Sequence, residues 1–85
     1  MKIVYVTALW CSACLVMHKR IQRIKSRHPD WIWENHDLDL DETFVKTLNI
    51  GKVLPVFIVY QNDIEVKRVI GEMDEATLER ALYVA

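Results

Sequence analysis

Cys11 and Cys14 are the only cysteines in this 85-residue chain, and they share one stretch, Trp10-Cys11-Ser12-Ala13-Cys14. A short apolar run, Ile3 to Ala8, leads into it, and a long helical pattern, Leu15 to Arg27, leads out. A Cys-x-x-Cys pair at a strand-to-helix junction constrains the fold more than any other feature, because strand, turn and helix start must converge on two sulfurs. Two thiols this close are not a disulfide framework. They read as a redox or metal pair in a reducing compartment, so a cytoplasmic setting is expected.

The length suits one domain over residues 1–85, with a core of modest size. The formal net charge is −1, which implies no general attraction to nucleic acid or membrane. No apolar run approaches the length of a membrane span. Met1-Lys2 leads directly into a strand-like run, so no leader segment is expected.

Lys2 to Ala8 is β-branched and apolar on both faces, as in a central strand. The first helix is expected from about Cys11 to Arg27, with Leu15, Met17, Ile21 and Ile24 as its buried stripe. Its basic face, Lys19, Arg20, Arg23, Lys25 and Arg27, reads as a solvated surface. Trp31 to Asp41 reads as a second strand, because Leu38 and Leu40 alternate with Asp37, Asp39 and Asp41. Trp31 and Trp33 are expected to pack rather than bind. The three aspartates lack the glycine and distal glutamate of a calcium loop, which excludes that reading. Asp41 is the expected N-cap of a short helix, Glu42 to Leu48, with Phe44, Val45 and Leu48 on its apolar side.

Pro55 stands at the mouth of a second apolar strand, Val56 to Tyr60, where a missing N–H is tolerated. Asn62-Asp63 predicts a tight hairpin into Ile64 to Ile70, and Gly71 ends that strand. Asp74 is the expected N-cap of a last helix, Glu75 to about Tyr83, which buries Leu78, Ala81 and Leu82. The order is βαβαββα. The expected fold class is α/β: a four-stranded mixed sheet flanked by helices on both faces, with the first two strands parallel.

Taken together, Trp10-Cys11-Ser12-Ala13-Cys14 after the first strand, Pro55 after the second helix, the Asn62-Asp63 hairpin, Gly71 and the closing helix resemble the thioredoxin superfamily over nearly the whole chain. In size the chain is similar to the minimal, glutaredoxin-like version. The resemblance implies thiol–disulfide exchange with protein substrates, most readily as a reductant, by a monomer recycled by a separate electron-donor reductase. No cofactor is implied beyond the redox-active Cys11–Cys14 pair. Cys11, at the helix N-terminus, is the expected nucleophile, since unpaired N–H groups there favour a negative sulfur. Cys14, one turn in and more shielded, is the expected resolving thiol. The resemblance further implies a cis Leu54–Pro55 bond. It also implies a substrate-binding surface of Trp10, Ser12, Ala13, Leu54, Pro55 and Gly71, with Trp10, Ala13, Leu54 and Gly71 as an apolar rim.

The chain departs from the family pattern at several positions. Ser12-Ala13 replaces the usual Gly-Pro between the cysteines, which leaves the direction of electron flow open. Tyr5 occupies the strand position of a buried acid, and no carboxylate occurs from Met1 to Cys14. Val56 follows Pro55 where threonine is usual, and Gly71 is followed by Glu72, which argues against a standard glutathione site. His18, four residues after Cys14, joins the two cysteines as a third possible zinc or copper ligand. Three ligands are too few for a structural zinc site, and a structural histidine is the stronger reading. The alternatives are a non-catalytic partner- or metal-binding module of the same fold, and a glutathione-dependent reductase.

Overall fold

The computed structural model describes residues 1–84. Its elements follow the expected order: β1 (Lys2–Thr7), α1 (Ser12–Arg27), β2 (Ile32–Asp37), α2 (Glu42–Lys46), β3 (Val56–Gln61), β4 (Ile64–Ile70) and α3 (Glu75–Leu82). The four strands form one sheet in the order β2-β1-β3-β4. β1 and β2 run parallel, while β3 runs antiparallel to both β1 and β4.

The period-2 geometry of β1 divides its side chains between two buried layers. Ile3 and Tyr5 join Met17, Ile21 and Ile24 of α1 and Leu78 and Leu82 of α3 on one face. Val4 and Val6 join Val45, Leu48, Leu54 and both cysteines on the other. β3 is buried on both faces in the same way, with Phe57 and Val59 in the first layer and Val56 and Ile58 in the second. Between β3 and β4, Asn62 (φ 52) and Asp63 (φ 64) both take the left-handed conformation. This is the type I′ geometry whose twist matches a two-residue hairpin.

Five details differ from the sequence expectation. Leu15 is 68% exposed, and the buried stripe of α1 is Cys14, Met17, Ile21 and Ile24, a spacing of three and four that Leu15 does not fit. The second strand is confined to Ile32–Asp37. Leu38 to Asp41 form a turn instead, because Asp37 Oδ1 accepts the N–H groups of Asp39 (2.8 Å) and Leu40 (3.0 Å). Phe44 lies on the exposed side of α2. That helix ends at Lys46, and Asp41 precedes it without a side-chain capping bond.

The basic face of α1 does more than meet solvent. Arg23 and Arg27 pair with Glu75, and Arg27 pairs with Glu79 at 3.0 Å, tying α1 to α3. Exposed pairs of this kind contribute little each, so the apolar layer beneath still dominates. His28 stacks on Trp31 with ring centroids 3.8 Å apart, and Tyr5 meets Trp33 edge-on at 5.8 Å. Trp31 and Trp33 are therefore packing residues, as expected.

The layer assignment predicts a contrast in stability. Phe57→Ala, at a fully buried site, is expected to cost about 3–5 kcal/mol in urea unfolding. Leu15→Ala is expected to stay within about 0.5 kcal/mol. Comparable losses in both variants would contradict the exposed position of Leu15.

Candidate active site

β1 carries the chain up the middle of the sheet and releases it at Thr7, so the turn Ala8–Trp10 and the start of α1 stand at one end of the strands. The Cys11 N–H donates to the Ala8 carbonyl at 3.1 Å, closing the turn. Cys11 is the N-cap of α1 with extended backbone (φ −88, ψ 108), and its sulfur accepts the Cys14 N–H at 3.2 Å. Sulfur thus occupies the position where a Ser, Thr, Asp or Asn oxygen ordinarily caps a helix. The Cys14 thiol points at Cys11 Sγ, 2.6 Å away, and both thiols are free.

Exposure does not separate the two cysteines, contrary to expectation: Cys11 is 8% exposed and Cys14 7%. Their polar surroundings differ. Cys11 receives the helix N–H, whereas Cys14 lies one turn inside. Burial, followed by the hydrogen bond to Cys11, pushes the Cys14 thiol from its ordinary 9.0 up to about 11. Cys14 is therefore held as a thiol at neutral pH.

The Leu54–Pro55 peptide bond is cis, as expected. Leu54 shares the buried cluster of the cysteines, and Ala13 packs against it. The Pro55 carbonyl accepts the Gly71 N–H at 2.8 Å, which joins the start of β3 to the end of β4. Gly71 has φ +94, and a Cβ there would meet Val53 Cγ1 at an ordinary 3.6 Å. The demand for glycine is one of backbone conformation rather than space.

The expected apolar rim differs in part. Leu54 is 8% exposed and Gly71 is buried, so neither offers a surface. Trp10 does, at 65% exposed, and Ser12 beside it is exposed as well. The exposed apolar side chains that flank these positions in the chain are Leu9, Leu15, Val16, Val53 and Ile70. Asp39 emerges as a site residue that sequence reasoning missed: the Trp10 indole Nε1–H donates to Asp39 Oδ2 at 2.8 Å. Its turn was hidden by the Leu/Asp alternation, which imitates a strand.

The match to a family model covers residues 1–83, under the description Thioredoxin. The chain belongs to the thioredoxin family. No curated protein sequence matches it as a relative. Thioredoxin-2 of the malaria parasite, described as a component of its protein secretion machinery, superposes with a TM-score of 0.85 at 21% identity, covering 95% of this chain and 79% of that one. Thioredoxin from Trypanosoma brucei brucei superposes with a TM-score of 0.85 at 23% identity, covering 95% and 70%. Oxidised mitochondrial thioredoxin 3 from Saccharomyces cerevisiae gives 0.85 at 20%, covering 95% and 74%. At these identities the likeness establishes the thioredoxin fold, and family membership supports thiol–disulfide oxidoreductase chemistry in general. Among the described residues, no group of three His, Cys, Asp or Glu side chains is placed to hold a metal ion. No helix among them is long and apolar enough to cross a membrane.

Two outcomes follow for this thioredoxin site. Asp39→Ala is expected to release the Trp10 ring, seen as an upfield shift and faster exchange of its indole N–H in NMR spectra, with a stability loss of about 1 kcal/mol or less. An unchanged indole resonance would contradict the bond. Separately, a thiol whose folded-state value lies above its unfolded one stabilises the fold below the unfolded value, and that contribution disappears as pH rises through the folded value. The reduced protein is therefore expected to lose stability between pH 9 and about 11, and Cys14→Ser to lack that component. Urea midpoints measured across that range decide it.

Proposed function

We propose that this protein is a dithiol–disulfide oxidoreductase that reduces disulfides in protein substrates, with Cys11 as nucleophile and Cys14 as resolving thiol. The observation that carries this reading is the asymmetry of the pair: Cys11 Sγ accepts a first-turn N–H of α1, that of Cys14, and Cys14 is held protonated beside it. A thiolate is the attacking species in disulfide exchange, and a helix N–H is a donor that a thiolate accepts strongly. Cys11 attacks one sulfur of the substrate disulfide, forming a mixed disulfide and releasing the other sulfur as a thiolate. Cys14 then attacks Cys11, the substrate leaves reduced, and the Cys11–Cys14 bond closes. The raised Cys14 value suits this order. Part of its cause is the neighbouring Cys11 sulfur, whose charge is gone once Cys11 is bonded to substrate.

The composition of the loop favours reduction. Strong disulfide oxidants owe their potential to a stabilised reduced form. From Leu9 to Cys14 there is no Lys, Arg or His to stabilise a thiolate further. Trp10, latched to Asp39, and its exposed apolar neighbours form the face that substrates meet. Oxidised protein would be recycled by a separate reductase in a reducing compartment such as the cytoplasm.

Two variants separate the proposed roles. Cys11→Ser is expected to abolish reduction of insulin disulfides in a turbidity assay, whereas Cys14→Ser should accumulate covalent mixed disulfides on non-reducing gels. Full activity of Cys11→Ser would sink the assignment.

A further inference from the structure

The proposed cycle leaves one proton without a carrier. Closing the Cys11–Cys14 bond requires Cys14 to lose its S–H proton, and burial, the first cause that raises this thiol, does not depend on the charge of Cys11. A base that takes such a proton near neutral pH must lie within hydrogen-bond reach, directly or through one water. No carboxylate occurs between Met1 and Cys14. The strand position where an acid would serve is Tyr5, and its hydroxyl already accepts from Lys25 Nζ at 3.3 Å.

Cys14 opens onto a cleft of about 190 Å³ between α1 and the β1–β2 edge. The titratable groups that face the cleft are Cys14 and His18 from α1 and Tyr5 from β1; β2 contributes the neutral Asn35. No Asp, Glu, Lys or Arg lines it. Thr7 Oγ1 donates to Asn35 Oδ1 at 3.1 Å within the same wall, so polar groups stand beside the apolar lining of a cleft large enough for water. His18 follows Cys14 by four residues, which places both on one side of α1, and it is exposed where Cys14 is buried. Imidazole is the side chain suited to accept a proton near neutral pH and pass it to solvent.

Resting on the exchange reading above, we propose that His18 accepts the proton of Cys14 through water in this cleft while the mixed disulfide is resolved. The Cys14 S–H bond breaks and its proton passes to an imidazole nitrogen. The electron pair left on Cys14 Sγ attacks Cys11 Sγ, and the bond between Cys11 and the substrate sulfur breaks. The substrate sulfur leaves as a thiolate. The substrate disulfide has gained two electrons, the cysteine pair has lost two, and the imidazolium returns its proton to solvent. His18 replaces, on the helix, a function that a carboxylate in the strand would otherwise serve.

The test is single-turnover reaction of the reduced full chain with an aryl disulfide that releases one coloured thiolate at each step. His18→Gln is expected to leave the first release unchanged and to slow the second by about 100-fold at pH 7, the lower range for a general base. The pH profile of the second step should differ between the variant and the wild type, and added imidazole should restore part of the rate. An unchanged second release, or a slowed one with the wild-type pH profile and no imidazole rescue, would overturn the proposal and leave solvent as the acceptor. If the wild-type protein makes no first release, the exchange reading itself fails, and this proposal fails with it.

Discussion

A single hydrogen bond, from the Cys14 N–H to Cys11 Sγ, joins the fold of this protein to its chemistry. Helix α1 must satisfy its first N–H groups, and one of them is met by a sulfur rather than by the oxygen of a usual capping residue. A thiol accepts such a bond weakly and a thiolate strongly. The start of the helix is therefore tied to the charge on Cys11. Because the cap and the donor are three residues apart, the same geometry brings the second sulfur against the first. The Cys-x-x-Cys spacing thus meets a requirement of helix capping and one of disulfide closure together.

The elements that carry this bond are held by apolar, central side chains. β1 delivers the turn because Ile3, Val4, Tyr5 and Val6 are buried on alternate faces, which leaves the strand little freedom to slide without exposing a whole row. α1 is anchored by Met17, Ile21 and Ile24, all at most 2% exposed. Pro55 and Gly71 close the opposite side through one backbone bond, while Asp37 shapes the turn that brings Asp39 to the Trp10 indole. Polar bonds near the site set directions; apolar layers hold the elements from which those directions are measured.

Features that depend on local pattern were legible in the sequence. The Cys-x-x-Cys junction, the continuous apolar strands, the Asn62-Asp63 turn with both residues left-handed and the Asp74 cap, whose carboxylate accepts the Thr77 N–H, each have a short-range cause. The cis bond before Pro55 was reached only through family resemblance, since nothing in the neighbouring residues dictates it. The misread features share a different origin. Leu15 is apolar enough for a core but falls one position off the stripe set by Cys14 and Met17. Leu38 and Leu40 alternate like a strand, yet the Asp37 side chain offers the backbone a competing turn. Asp41 resembles an N-cap, but its carboxylate lies 3.2 Å from His36 Nδ1 instead. Asp39 was not legible because its partner Trp10 is 29 residues away.

In the proposed function the Cys11–Cys14 pair cycles between dithiol and disulfide and gives electrons to substrates. The most direct measurement is equilibration of the purified protein in glutathione redox buffers, with the fraction of closed Cys11–Cys14 bond read by thiol trapping and mass. A single two-electron transition is predicted, with a potential more negative than about −230 mV, toward the thioredoxin end of the known range. A potential near about −120 mV, the level of a strong disulfide oxidant, would contradict the reducing role. Failure of the bond to form at any poise would contradict the exchange chemistry altogether.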